Sequence, residues 1–227
     1  MTMTGRHHIS AVFSGELRSL KEQILTMGRL VDAHVGESVR ALLERDRDLA
    51  ARVIDADRAV NQMELAIDEQ CIRILALHQP AASDLRFIAA ALKMVTDLER
   101  IGDLAVNMAE RVQLLASDEP LRAAAALPAL AARARTMLDD VLDAFVAADV
   151  SKAQSVIQRD ADVDAATAAF IADVQIEIAA DPRAIGRGVA TIFFAKHIER
   201  MADHATNIAE MVVYLVRGQD VRHAPST

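Results

Sequence analysis

Leu98-Glu99-Arg100-Ile101-Gly102-Asp103 returns 100 residues later as Ile198-Glu199-Arg200-Met201-Ala202-Asp203. The match continues through Asn107-Met108-Ala109-Glu110 against Asn207-Ile208-Ala209-Glu210. Upstream, Asp84-Leu85-Arg86 corresponds to Asp181-Pro182-Arg183. Further upstream, Val53-Ile54 with Asp57, Val60 and Asn61 returns as Val156-Ile157 with Asp160, Val163 and Asp164, at an offset of 103. Three blocks in the same order imply duplication, and a repeat sets the fold before any single element does.

Each copy reads as three long helices. Phe13 to Glu44 carries Leu17, Leu20, Ile24, Met27, Val31, Val35 and Val39 at the spacing of one helical face. Arg45 to Asp48 is a charged turn, and Leu49 to Leu77 is a second helix stopped by Pro80. Ser83 or Asp84 can cap a third helix running to about Ala116, and Ser117 to Pro120 links the copies. The second copy is expected at Leu121 to Ala148, Lys152 to Ala179 and Arg183 to Arg217. Asp181 is its third cap, Pro182 takes the first helical position, and Gly218 is the stop. Gln219 to Thr227 reads as a frayed tail. Long helices on short turns must run antiparallel, so each copy is an up-down-up bundle, over residues 13–116 and 121–218. The two bundles are expected to pack through leftover apolar surface.

Composition agrees with an all-α fold. Apolar residues make up 52% and aromatics 3%, with no Trp, eight Gly and five Pro. The core must be Ala, Leu, Val, Ile and Met, and little punctuation remains for short strands. A net charge of -8 and a pI near 5.4 repel phosphate backbones, and few aromatics means few stacking platforms. Nucleic acid is therefore a poor partner. The one cysteine, Cys71, allows neither an intrachain disulfide nor a thiolate-rich zinc site, and reads as a buried small hydrophobe. No apolar run reaches the roughly 18 residues of a spanning helix. The strongest, Leu121 to Ala132, is broken by Arg122 and Pro128, and Met1 to Ser10 is polar, with His7 and His8. No membrane span or secretory signal is expected, which points to the cytoplasm.

The residues with chemical potential are acids. Glu99 and Asp103, four apart, lie about 40° apart on one helical face, one turn along. Asn107 continues the stripe and Glu110 falls between them; Glu199, Asp203, Asn207 and Glu210 repeat it. Like charges at this spacing repel by a few tenths of a kcal/mol in water, and a cation turns repulsion into attraction. The second helix offers a partner stripe of Asp57, Asn61, Glu64 and Asp68. In the second copy it is Asp160 and Asp164, with Thr167 and Ile171 replacing the last two acids. Convergence of these faces gives oxygen-only ligand sets, suited to magnesium, manganese, calcium or iron. Any solvated helix has an acidic stripe, but a solvent face has no physical reason to keep the same charges at the same spacing through a duplication.

Other candidates carry less. Arg86 and Arg183 suit either an anion or partner contact, or a salt bridge to Asp84 or Asp181. Arg100 and Arg200 flank the acidic stripes and suit bridges to neighbouring carboxylates. His197 precedes Ile198-Glu199-Arg200, but its counterpart is Asp97, so the feature is not duplicated. His204 matches Leu104 and reads as semi-buried packing; His34, His78 and His223 stand alone. No Glu-x-x-His occurs, so the di-iron bundle pattern is missing, and there is no phosphate loop, nucleophile elbow or dinucleotide fingerprint.

Leu98 to Glu110 and Ile198 to Glu210, preceded by Gln79-Pro80-Ala81-Ala82-Ser83-Asp84-Leu85-Arg86, resemble the PhoU family of accessory regulators of phosphate uptake. The resemblance runs from about Phe13 to Gly218. It implies two three-helix bundles with pseudo-twofold symmetry. It also implies metal bound at Glu/Asp-x-x-x-Asp motifs, two per bundle. By position these are Glu99 with Asp103, Glu199 with Asp203, Asp160 with Asp164, and Asp57 with Asn61; in the last, Asn replaces a carboxylate and Glu64 can serve. Members of such a family restrain the phosphate-starvation response between the phosphate ABC transporter ATPase and a membrane sensor histidine kinase. They form dimers or higher oligomers and reach the inner membrane through those partners. The expectation is a non-enzymatic metal-binding adaptor, with magnesium, manganese or iron as cation. The alternative is a metal-dependent phosphohydrolase using the same carboxylate clusters.

Overall fold

The computed structural model describes residues 3–218, with side chains from Ala11 onward. The frayed tail from Gln219, with His223, lies outside these described residues, and so do the side chains of His7 and His8. The fold is all-α. Six long helices follow in order: α1 (Met3–Glu44), α2 (Arg47–His78), α3 (Ala82–Leu115), α4 (Leu127–Ala147), α5 (Val150–Ala180) and α6 (Ile185–Arg217). Short 3-10 turns, Arg122–Ala126 and Pro182–Ala184, lead into α4 and α6.

The helix ends follow local chemistry, with three departures from expectation in the later helices, while α1 begins at Met3, ten residues before the expected Phe13. First, α3 begins after Ala81, which makes no side-chain cap, so neither Ser83 nor Asp84 caps it; Asp84 instead places its charge in the first turn. An acid there still favours the positive end of the helix dipole. Second, the stretch expected to open the fourth helix is a 3-10 turn, because Pro128 fits only the start of an α-helix. The Glu177 carboxylate satisfies that turn's free donors, accepting from the Arg122 and Ala123 amides at 3.0 and 2.7 Å. Third, Asp181 caps the Pro182–Ala184 turn, so Arg183 lies ahead of α6. Gly218 ends α6 in the left-handed conformation, φ 70°, as expected.

The first turns of both copies are built alike. Arg45 and Ala148 take φ 55° and 53°. The next residues, Asp46 and Asp149, donate back to the Ala41 and Ala144 carbonyls, both at 2.9 Å. Their carboxylates accept from the Leu49 and Lys152 amides at 2.8 and 3.0 Å. This is a Schellman stop followed at once by an Asp cap.

The buried faces of α1 and α4 coincide at an offset of 103, Ile24 on Leu127 through Leu42 on Phe145, and those of α3 and α6 at an offset of 100. That register sets Arg86 against Gly186, so Asp181-Pro182-Arg183 is not the structural counterpart of Asp84-Leu85-Arg86. One continuous apolar cluster runs through both halves, from Leu20 and Ile24 to Phe194 and Ile198. Its spine is the α3–α6 seam, the most extensive helix contact in the molecule. Burying apolar surface stabilises by about 25 cal/mol per Å², so this shared cluster couples the two halves energetically.

The α1–α4 contact lies on the pseudo-twofold axis. Arg135 meets Asp32, its own repeat equivalent, in a two-pronged ion pair of 2.7 Å on each side. The guanidinium lies flat on Gly36, where a Cβ would stand 3.0 Å from its Cζ. A symmetric contact would oppose like residues; opposite charges at the two positions resolve that conflict.

Candidate functional site

The α2 and α3 stripes come together because Gly102 lets the helices approach. A Cβ there would stand 3.1 Å from Val60 Cγ1 and 3.4 Å from Asp57 Oδ1. Asp57 Oδ2 accepts from Asn61 Nδ2 at 2.9 Å, while its Oδ1 is shielded from solvent and has no hydrogen-bond partner. Burial, then the charge of Asp103, pushes the Asp57 carboxyl above its usual range. Glu64 is raised by burial, Asp68 and Asp103. Glu99 is raised by burial, then Asp103 and Glu64, with Arg100 opposing. Burial also raises Asp68, whose Oδ1 is a second shielded, unpartnered oxygen. Asp57, Glu64, Glu99 and Asp103 thus form one mutually repelling cluster with Asn61 and Asp68 at its edges.

The second half repeats the arrangement with fewer acids. Burial, Asp203 and Asp164 raise Asp160, with a smaller push from Glu199 and the Thr206 hydroxyl opposing. Asp203 is raised by burial, Glu199 and Asp164, against His204 and Lys196. Asp160 Oδ1, equivalent to Asp57 Oδ1, is again shielded without a hydrogen-bond partner. Thr167 is buried where the first half has Glu64, and Lys196 ion-pairs with Glu199. One cation built into the chain offsets part of the repulsion here.

The outer members of the stripes separate. Asn107 donates to the Asp103 carbonyl at 2.9 Å, within its own helix. Asn207 instead donates to Asp97 Oδ1 of α3 at 3.1 Å, beside His204 Nδ1 at 2.8 Å from the same oxygen. Glu110 is exposed, and Glu210 is half-buried on the same face. His204 is therefore a polar partner of Asp97, not simple packing. His78 is not alone either, since its Nε2 lies 2.6 Å from Glu16 Oε2. His34 is buried on α1 near Asp57 and Glu37, and burial lowers its pKa. The repeat does not signal these pairs, because Leu104 stands at the position equivalent to His204 and Asp181 at the one equivalent to His78.

The arginines also part. Arg183 pairs with Asp181 at 2.9 Å and its side chain is 92% exposed. Arg86 stands against the end of α6, its Cζ 3.8 Å from where a Gly218 Cβ would be, and its Nε is shielded and unpartnered. A cation there faces the negative end of the α6 dipole.

Among the described residues, no three His, Cys, Asp or Glu side chains already stand as a ligand set. Uncompensated carboxylates splay to lower their repulsion, so a ready set is not the form they take alone. The donors nevertheless fit a hard cation: they are carboxylate and amide oxygens, and Asp57 and Asp160 each have one solvent-shielded oxygen without a hydrogen-bond partner, although the Thr206 hydroxyl lies near enough to Asp160 to lower its pKa.

These features define a class: a duplicated helical-bundle protein with a carboxylate cluster on the α2–α3 face and its copy on α5–α6. A model for the PhoU domain matches residues 24–112 and again 127–212. The chain belongs to the PhoU family. It is 44% identical over 218 residues to a phosphate-specific transport system accessory protein PhoU homolog of Pseudomonas aeruginosa, covering 96% of this chain and 90% of that one. To the accessory protein PhoU of Escherichia coli K12 it is 38% identical over 216 residues, covering 95% and 90%. The crystal structure of PhoU from P. aeruginosa superposes with a TM-score of 0.88 at 42% identity, covering 91% of this chain and all of that one. The phosphate transport system regulatory protein PhoU from Streptococcus pneumoniae gives 0.85 at 34% identity, covering 92% and 99%. No helix of the described residues is long and apolar enough to cross a membrane.

Proposed function

We propose that this chain is a non-enzymatic regulator of phosphate uptake and the phosphate-starvation response. In this reading it works in the cytoplasm between the phosphate ABC transporter ATPase and a sensor histidine kinase. The relatives' names, as accessory and regulatory proteins of phosphate transport, support the role. The twin clusters supply the physical device, and the shielded, unsatisfied Asp57 and Asp160 oxygens at equivalent positions are the observation that carries it. Asp57, Glu64, Glu99 and Asp103 would hold a divalent or iron-type cation in one half, and Asp160, Asp164, Glu199 and Asp203 in the other. A bound cation supplies neutralising charge. The acids of the second and third helices of each half then stay side by side, fixing one helical face for a partner.

Replacing Glu99, Asp103, Glu199 and Asp203 together by Ala tests this. The expected result is loss of cation from protein purified without chelator, with phosphate-regulated genes expressed in high phosphate. Unchanged cation content removes the site; lost cation with intact repression removes its link to regulation.

A further inference from the structure

The two ends of the molecule use equivalent positions but fill them differently. Where the end of α4 meets the start of α3, Phe145 and Phe87 stack with ring centroids 5.9 Å apart. Lys21 of α1 closes this junction, its Nζ 5.6 Å from the Phe145 centroid and donating to the Val146 carbonyl at 2.6 Å. The repeat register carries Phe145 to Leu42, Phe87 to Arg187 and Lys21 to Ala124. At the second junction, then, a leucine, an arginine and an alanine stand in place of two rings and a lysine. A cavity of about 260 Å³ opens there, with all three of these residues in its wall.

The cavity has a defined chemical character. Leu42, Leu115 and Leu121 make apolar walls. Arg187 Nε is shielded from solvent with no hydrogen-bond partner, and its Nη2 comes only to 3.9 Å of Asp181. Arg45 and Arg122 also line the cavity, with Asp118 and Glu119, and Asp181 stands beside Arg187, so the lining carries charge of both signs. The unpartnered Arg187 Nε offers a donor to a single carboxylate. The volume equals roughly nine waters at their liquid share, room for a ligand of about ten non-hydrogen atoms.

We propose that this cavity binds a small aromatic carboxylate. Its ring takes the space that the Phe87–Phe145 pair fills in the other half, and its carboxylate accepts from the Arg187 guanidinium, whose fork matches carboxylate geometry.

The test is titration of the full chain with 3-phenylpropanoate, followed by ligand-detected NMR and calorimetry, with 3-phenylpropanamide as the uncharged control. The expected result is saturable binding of the acid with a Kd of about 1 mM or tighter, and binding of the amide at least about tenfold weaker. Leu42→Phe, which restores the ring found at the other junction, abolishes binding while circular dichroism and melting temperature stay at wild-type values. Arg187→Gln weakens the acid to the level of the amide. Absence of saturable binding, equal binding of acid and amide, or unchanged binding in a folded Leu42→Phe protein overturns the proposal.

Discussion

A carboxylate beside other carboxylates destabilises the fold that assembles it, and this cost has a pH signature. Asp160 is raised above its usual range. Between that usual value and the raised one, the native state holds more proton than the unfolded chain, so stability falls as pH climbs through the window. In chelator-treated protein, Asp160→Asn is therefore more stable than wild type at pH 7, and the difference closes as pH falls toward 4. His34 and His197 push the other way below about pH 6.5, because burial lowers both, His197 to about 4. They are common to both proteins and cancel in the comparison. Urea denaturation at the two pH values checks this; an equal difference at both removes the repulsion from the account. A second expectation concerns Cys71. Burial pushes its thiol up to about 12, so a disulfide reagent leaves it unmodified in native protein at pH 8 and labels it after urea unfolding. The acids were legible in the sequence because duplication displayed them twice. The Asp97–His204 pair was not, since its repeat equivalents are His197 and Leu104, and 107 residues separate its members.

At the scale of elements, apolar periodicity placed all six helices, and side-chain caps settled only some of their ends. Asp46 and Asp149 show the caps at work, each accepting from the amide three residues on. Asp149→Ala should cost about 1 kcal/mol. Ala148→Gly should stabilise by roughly 0.5–1 kcal/mol, because Ala148 sits at φ 53° where glycine carries no steric penalty. Equilibrium urea curves of the two variants check both signs. The start of α3 was misread because Ser83 and Asp84 look like caps, yet Gln79 and Ala81 turn the chain first, at φ 46° and ψ 168°. The 3-10 turn before α4 was hidden for a different reason. Its amides are satisfied by Glu177, a residue more than 50 positions away, and no local pattern announces that.

For the whole molecule, the duplicated halves meet along α3 and α6 and share one apolar cluster. A fragment ending at residue 118 loses the α6 side of the α3–α6 seam, and is expected to self-associate or fail to give a cooperative melt. A monomeric, cooperatively folding fragment would show that each half has a core of its own. The sequence foretold that the bundles would meet through leftover apolar surface, but not that α3 and α6 form the seam, since both faces of these helices are apolar enough to qualify. The two carboxylate clusters lie on opposite halves of one seam, so a cation bound at either one, as proposed, would steady the same α3–α6 spine.

Under the proposed function, each half organises a cation through its own acids. Calorimetric titration of chelator-stripped protein with manganese measures this directly, in wild type and in the pairs Glu99→Ala/Asp103→Ala and Glu199→Ala/Asp203→Ala. Saturable binding is expected in wild type, with loss of one set of sites in each double variant and none left in the fourfold variant. No saturable binding in wild type, or equal binding in the fourfold variant, would contradict it.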